Sequence, residues 1–158
     1  MIIEIAQSAH LADMVRIING LIAMGDNTAH RTPFTQDRLW DHIASNTDAV
    51  SRLVAVRDGH VLGFQYTNWA DKTAGRAYIA SFMDPKAQGQ GIGRALFAHT
   101  ILAAKQAGVV TLDATIRTDN VSGLAYYTAM GFVDHQMYRD VTLSDGTRVD
   151  QVQKLYQV

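Results

Sequence analysis

The sequence predicts a mixed α/β fold, a mostly antiparallel central sheet flanked by helices in the order β-α-α-β-β-β-α-β-α-β-β. Three observations predict it: two helix-period stretches follow a first short strand, three strand-like runs joined by short turns fill residues 52 to 83, and two later strands each run straight into a helix. No repeat, low-complexity tract or linker interrupts the 158 residues, a length expected of one domain spanning 1–158.

Residues 2 to 6, IIEIA, alternate as a half-buried strand does, and Ser8 can cap a helix whose apolar face carries Leu11, Met14, Val15, Ile18 and Leu21. Gly25 should end that helix. GDNTAHRTPF reads as a loop, after which Thr35 can cap a second helix with Leu39, Trp40 and Ile43 on its apolar side. RLVAV, from Arg52 to Val56, is a strand; Asp58-Gly59 turns the chain, and VLGFQYTNW returns as the second strand of a hairpin. A turn from Asp71 to Gly75 leads to a third strand, AYIASFM. The stretch PKAQGQGIGRA follows at once and opens a helix through Ala107, with Leu96, Phe97, Ile101 and Leu102 inward and Gly108 as its stop. VVTLDATI is the next strand, Asn120 caps a short helix ending at Gly131, and two last strands flank the Asp145-Gly146 turn.

Composition removes several functions. The 14 basic and 15 acidic residues nearly cancel and are scattered, which argues against a nucleic-acid or polyanion surface. The start MIIEIAQSAH lacks a signal peptide's basic flank and apolar run, and no later run approaches the roughly 20 residues of a membrane span, so a cytoplasmic protein with no membrane partner is expected. The chain has no cysteine, which excludes thiol nucleophiles, disulfides and cysteine-based zinc sites. Glu4 is its one glutamate, so a glutamate general base is nearly unavailable. His10, His42, His60, His99 and His135 fall at no metal-ligand spacing and read as surface or local hydrogen-bonding residues; no metal is expected.

The glycine stretch is the first functional candidate. A strand, a glycine-rich turn and a helix start suit a phosphate, because glycines let backbone N–H groups approach closely and the helix N-terminus offers unpaired N–H groups and a favourable dipole. Gly91-Ile92-Gly93-Arg94 lacks the Gly-Lys-Ser/Thr of a P-loop, and the spacing and mid-chain position fit a dinucleotide fingerprint badly. On the glycines alone a flexible turn stays open. The second candidate is NVSGLAYYTAMGF, where a helix starting at Asn120 places Tyr127 two turns along. Both helices leave the same end of the sheet, which is where a ligand would sit.

Together these residues resemble the GNAT superfamily of N-acetyltransferases. The family's acetyl-CoA motif, Gln or Arg, two residues, Gly, one residue, Gly or Ala, is met by Gln88, Gly91 and Gly93; its downstream pattern is met by Asn120, Tyr127 and Gly131-Phe132. The resemblance covers essentially the whole chain, and DNTAHRTPFT with IRTDNVSGLAYYTAMGF looks like the phosphinothricin-type acetyltransferase branch. It implies a GNAT-type fold, acetyl-CoA as co-substrate and a primary amine of a small-molecule or amino-acid-like acceptor, attacked directly in a ternary complex. The loop Gln88, Gly89, Gln90, Gly91, Ile92, Gly93 and Arg94 would hold the pyrophosphate, and the backbone of Phe82 and Met83 would pair with the pantetheine arm. By analogy the Met83 N–H would stabilise the oxyanion. Asn120 would contact the pantetheine arm, and as a helix cap it can do both. Tyr127 would be the general acid toward the departing thiolate, phenol near 10 and thiol near 8.5 being close enough for proton transfer. A core tyrosine is the plain alternative for Tyr127, and Tyr126 reads as packing.

One departure stands out. Phosphinothricin-type relatives carry a glutamate early in the strand before the glycines, where this chain has Tyr78. The base is left open among Asp113, His30 and a water relayed through Ser81 and Tyr78. Met24, His30, Phe34 and Trp40, with Tyr78 across the sheet, are the candidates for the acceptor side, Phe34 and Trp40 serving equally well as core. A CoA-binding module that has lost catalysis and a nucleotide-binding protein are the rival readings. The last two strands offer an edge for a homodimer, an alternation that also fits a covered monomer edge.

Overall fold

The computed structural model describes residues 1–44 and 47–158. Its strands are β1 (Ile2–Ile5), β2 (Ala49–Arg57), β3 (His60–Asp71), β4 (Arg76–Met83), β5 (Thr111–Arg117), β6 (Val133–Thr142) and β7 (Arg148–Gln157); its helices are α1 (Leu11–Met24), α2 (Gln36–Ile43), α3 (Ile92–Ala107) and α4 (Val121–Ala129). The seven strands form one sheet in the order β1-β2-β3-β4-β5-β7-β6, antiparallel except for β4 with β5. The expected order of elements is the one observed, in a GNAT-type architecture.

Local chemistry accounts for most boundaries. The Thr35 hydroxyl accepts the Arg38 N–H and starts α2, while Gly25 and Gly108 end α1 and α3 in the left-handed conformation. The first helix begins differently from the expectation. A short 3₁₀ turn, Ser8–His10, precedes α1, and its cap is a reciprocal pair between Gln7 and His10, not Ser8.

Because strand side chains alternate between faces, the sheet builds two cores. Val54, Phe64, Tyr66 and Phe82 pack with α1 and α2, while Leu53 and Ala55 meet Ile92 and Leu96 of α3. On that second face Ala77, Ile79, Leu112 and Ala114 also pack with Phe97 and with Tyr127 of α4. Phe34 is buried in the first core and Trp40 packs against it; Met24 is exposed. β6 is an outer edge, exposed along nearly its whole length, with Val133 and Met137 open among Asp134, Arg139 and Asp140. No helix is long and apolar enough to cross a membrane among the described residues.

The feature that positions the site is a fork in the sheet. β4 and β5 pair only from Arg76↔Thr111 to Tyr78↔Asp113 and then part. Residues 79–82 and 114–117 face each other across a depression of about 150 Å³, floored by Tyr127 and roofed by residues 27–30 of the α1–α2 loop. Buried Arg117 holds that roof, donating to the carbonyls of Gly25 (2.8 Å) and Thr28 (3.2 Å) while its guanidinium grips Asp119. Asn120 adds a clamp from its amide to the Asn27 carbonyl at 3.2 Å.

Candidate active site

Beside the fork lies a larger cleft of about 370 Å³, bounded by the end of β4, the glycine loop and α4. The two spaces share Asn27, Ser81, Asn120 and Tyr127 in their walls. Met83, Gln88, Gly89, Gly91, Ile92, Gly93, Arg94, Asn120 and Tyr127 line the large cleft, so sequence-distant candidates meet in one place.

The loop is open to a large anion. Gly89 and Gly91 have φ of 77° and 75°, and a Cβ added to either would meet nothing within 4 Å. Gly91 is the N-cap of α3 and supplies no capping side chain, so the helix's first N–H groups face the cleft end uncapped. Gly93 has a different reason to be glycine. A Cβ there would stand 2.6 Å from the Tyr126 ring, whose hydroxyl donates to the Gly93 carbonyl at 3.0 Å.

Backbone polarity selects which β4 residues face the cleft. Asp84 N–H donates to Leu62 O across the β3–β4 ladder, in the register that pairs Met83 with Gly63. Since N–H and C=O of one residue point to the same side and alternate along an antiparallel strand, Phe82 directs both groups to β3 and Met83 directs both away from it. The Phe82 ring is also core, stacked on Phe64 at 4.9 Å. Contrary to the expectation, the backbone open to a ligand arm therefore belongs to Met83 and Ser81, not Phe82. The Gln90 side chain turns away from the cleft to β2, where its oxygen accepts from Arg57 at 2.6 Å, so Gln90 has only its backbone to offer a ligand.

Tyr127 is buried, and its hydroxyl lies 2.9 Å from Ser81 Oγ. Burial pushes the phenol well above its ordinary value, opposed by the hydrogen bonds from Ser81. Proton transfer from an ordinary phenol to a thiolate is already uphill by about 2 kcal/mol; here it is steeper. Such a phenol stays protonated and able to donate a hydrogen bond. Tyr126 is more than packing, since it joins a buried polar network. Thr100 Oγ1 donates to Gln65 Oε1 (2.6 Å), and Gln65 Nε2 donates to Ser81 Oγ (2.7 Å) and to the Tyr126 hydroxyl (3.0 Å). Asn120 caps α4 through the Gly123 N–H at 2.9 Å, alongside its clamp on the loop.

The acceptor-side candidates separate. His30 lines the depression, its ring packed edge-on against Phe34 (5.1 Å) and His42 (5.4 Å). Phe34 itself belongs to the core beneath. Tyr78 is 51% exposed and lines neither space, because it sits at the closed end of the fork beside Asp113. Ser81 and Tyr78 also project from opposite faces of β4, which rules out the relay between them. Asp113 is buried and spent on Gln153 (2.5 Å) and Thr115 (3.4 Å). Of the titratable groups considered as base, His30 borders the depression, while Asp113 and Tyr78 line neither space.

Desolvation, with His42 and Arg38 adding repulsion, lowers the His30 pKa to about 4. An unfolded histidine binds its proton below about 6.5, so between these values the unfolded chain holds more protons and acid favours unfolding. The thermal midpoint should accordingly fall as pH drops from 6.5 toward 4, and His30→Gln should flatten that part of the profile. An equally steep fall in the variant would refute this assignment. His42, also lowered, contributes in the same direction; the carboxylates that are held low, such as Asp84, lose their contribution mainly below pH 4.

Gln65 and Asn27 escaped the sequence reading, and Tyr126 was read only as packing. A glutamine at a core-facing position of VLGFQYTNW was the available signal for the first. No group of His, Asp or Glu that could hold a metal occurs among the described residues.

The fork, the glycine loop and the helix pair form one continuous site, and its class comes from comparison with known proteins. A model described as the acetyltransferase (GNAT) family matches residues 21–132; the chain belongs to that family. It is 32% identical over 99 residues to mycothiol acetyltransferase of Streptomyces coelicolor, an alignment covering 60% of this chain and 32% of that protein. The chain thus spans about a third of that relative's length. Among solved structures, ribosomal-protein-alanine N-acetyltransferase from Brucella melitensis matches with a TM-score of 0.88 and 22% identity over 100% of both chains. A phosphinothricin acetyltransferase from Sinorhizobium meliloti, solved in complex with AcCoA, matches with a TM-score of 0.85 and 21% identity, over 99% of this chain and 88% of that one. At such identities the likeness is one of fold.

Proposed function

We propose that this chain transfers the acetyl group of acetyl-CoA to a primary amine of a small-molecule or amino-acid-like acceptor. One observation carries the reading: a single cleft has the uncapped N-terminus of α3 at one end and the Tyr127 phenol at the other. The residues fit the co-substrate. The glycine loop and Arg94 suit its pyrophosphate, the outward backbone of Ser81 and Met83 suits its amide-bearing arm, and the Met83 N–H suits a developing oxyanion. Acetyl-CoA supplies the activated thioester; the chain orients it, donates a hydrogen bond from Tyr127 to the leaving sulfur and admits the amine through the fork beneath His30.

No carboxylate lines the cleft or the depression among the described residues, and His30 is too weak a base to deprotonate an ammonium ion. The amine therefore reacts from its neutral form. With acetyl-CoA and a panel of primary amines, amino acids and alanine-terminated peptides, CoA release should appear for at least one acceptor. Its kcat/KM should rise about tenfold per pH unit below the amine's own pKa. The missing carboxylate also motivates a second reading, a CoA-binding module without efficient catalysis. Cofactor binding with no CoA release across the panel would establish that module and sink the transferase.

A further inference from the structure

We infer that Gln65 is a positioning residue that fixes which way the Tyr127 proton points. The inference rests on the reading of Tyr127 as donor to the leaving sulfur, and it follows from counting protons along the network.

The Gly93 carbonyl can only accept, so the one proton of the Tyr126 hydroxyl is committed to it. Toward Gln65 the Tyr126 oxygen must then accept, which requires the amide nitrogen of Gln65, not its oxygen, to stand there. The Gln65 oxygen faces Thr100, whose hydroxyl donates to it. The second N–H of the same amide reaches Ser81 Oγ, so Ser81 accepts there and its own proton is left for the Tyr127 oxygen, 2.9 Å away. Tyr127, accepting from Ser81, keeps its own proton for the cleft that its ring lines. Were Tyr127 to donate to Ser81 instead, the Ser81 proton would lose its acceptor in this network, because the Gln65 amide facing it can only donate; without that amide, Ser81 can turn its own proton to the vacated position and accept from Tyr127, which draws the phenol proton away from the sulfur.

The arrangement is costly to keep otherwise. Gln65 is 1% exposed, and both of its amide N–H groups and its oxygen are engaged by these three partners.

A double-mutant cycle tests the inference, using CoA release at saturating acetyl-CoA with the fastest amine of the panel. Gln65→Met should lower kcat about tenfold with the KM for acetyl-CoA within about twofold of wild type, and should lower it no further in a Tyr127→Phe background. Gln65→Glu keeps the shape should the methionine variant not fold. Its carboxylate accepts where the amide donated, so its kcat should be lowest when ionised and recover on acidification, a titration absent from wild type. Equal losses in the wild-type and Tyr127→Phe backgrounds, or a Glu variant with the wild-type pH profile, would overturn the role of Gln65 while leaving Tyr127 in place. If Tyr127→Phe alone changes nothing, or no amine is turned over, the underlying reading fails and this inference with it.

Discussion

Replacing Tyr127 by phenylalanine should lower kcat by about a hundredfold or more, the usual cost of removing one donor aimed at charge that develops in the transition state. The KM for acetyl-CoA should change little, because the donor's bond forms as the carbon–sulfur bond breaks and not when the thioester binds. The fold should survive, since only the Ser81 hydroxyl loses a partner, a cost of about 1 kcal/mol. Steady-state CoA release with matched thermal melts separates the two effects. A variant with wild-type kcat would reduce Tyr127 to a core tyrosine, the plain alternative that its burial also fits.

The second large effect belongs to the loop. A ligand that binds only the folded chain at a hundred times its Kd adds about 2.7 kcal/mol, which should raise the midpoint by about 5–10 °C for a chain of this size. Acetyl-CoA should do so for the wild type and hardly at all for Gly91→Glu. Gly91 sits at φ 75° at the N-cap of α3, so a glutamate there strains the backbone and places a negative charge at the helix end that would hold the pyrophosphate. Gly91→Ala carries the strain without the charge and should keep part of the shift. A full shift in the glutamate variant would mean that the cofactor lies elsewhere.

Much of this was legible in the chain because it is local. Gly25, Thr35 and Gly108 mark helix ends through conformations and caps that involve a few consecutive residues. The glycine loop is the same kind of signal, since its capacity for an anion resides in its own backbone. The assignments that moved were those that depended on a strand's neighbours. Phe82 and Met83 look equivalent in AYIASFM, and only the register with β3 shows that the backbone of Phe82 is used up and that of Met83 is not. The Gln90 backbone belongs to the loop, yet Arg57 of β2 claims its side chain. Tyr78 stands where a relative's glutamate would, but β4 and β5 are still paired at that level and the fork has not opened.

The amino-acid sequence alone determined the order of elements and the glycine loop that opens α3, because those follow from periodicity, caps and glycine conformations within short windows, and its spaced motifs carried the resemblance to the family. The tertiary structure decided the other half. Where β4 leaves β5, which face each side chain joins and how one glutamine links Tyr126, Ser81 and Tyr127 all depend on registers between distant segments, and hydrogen-bond direction is a property of the closed network, not of any residue in it.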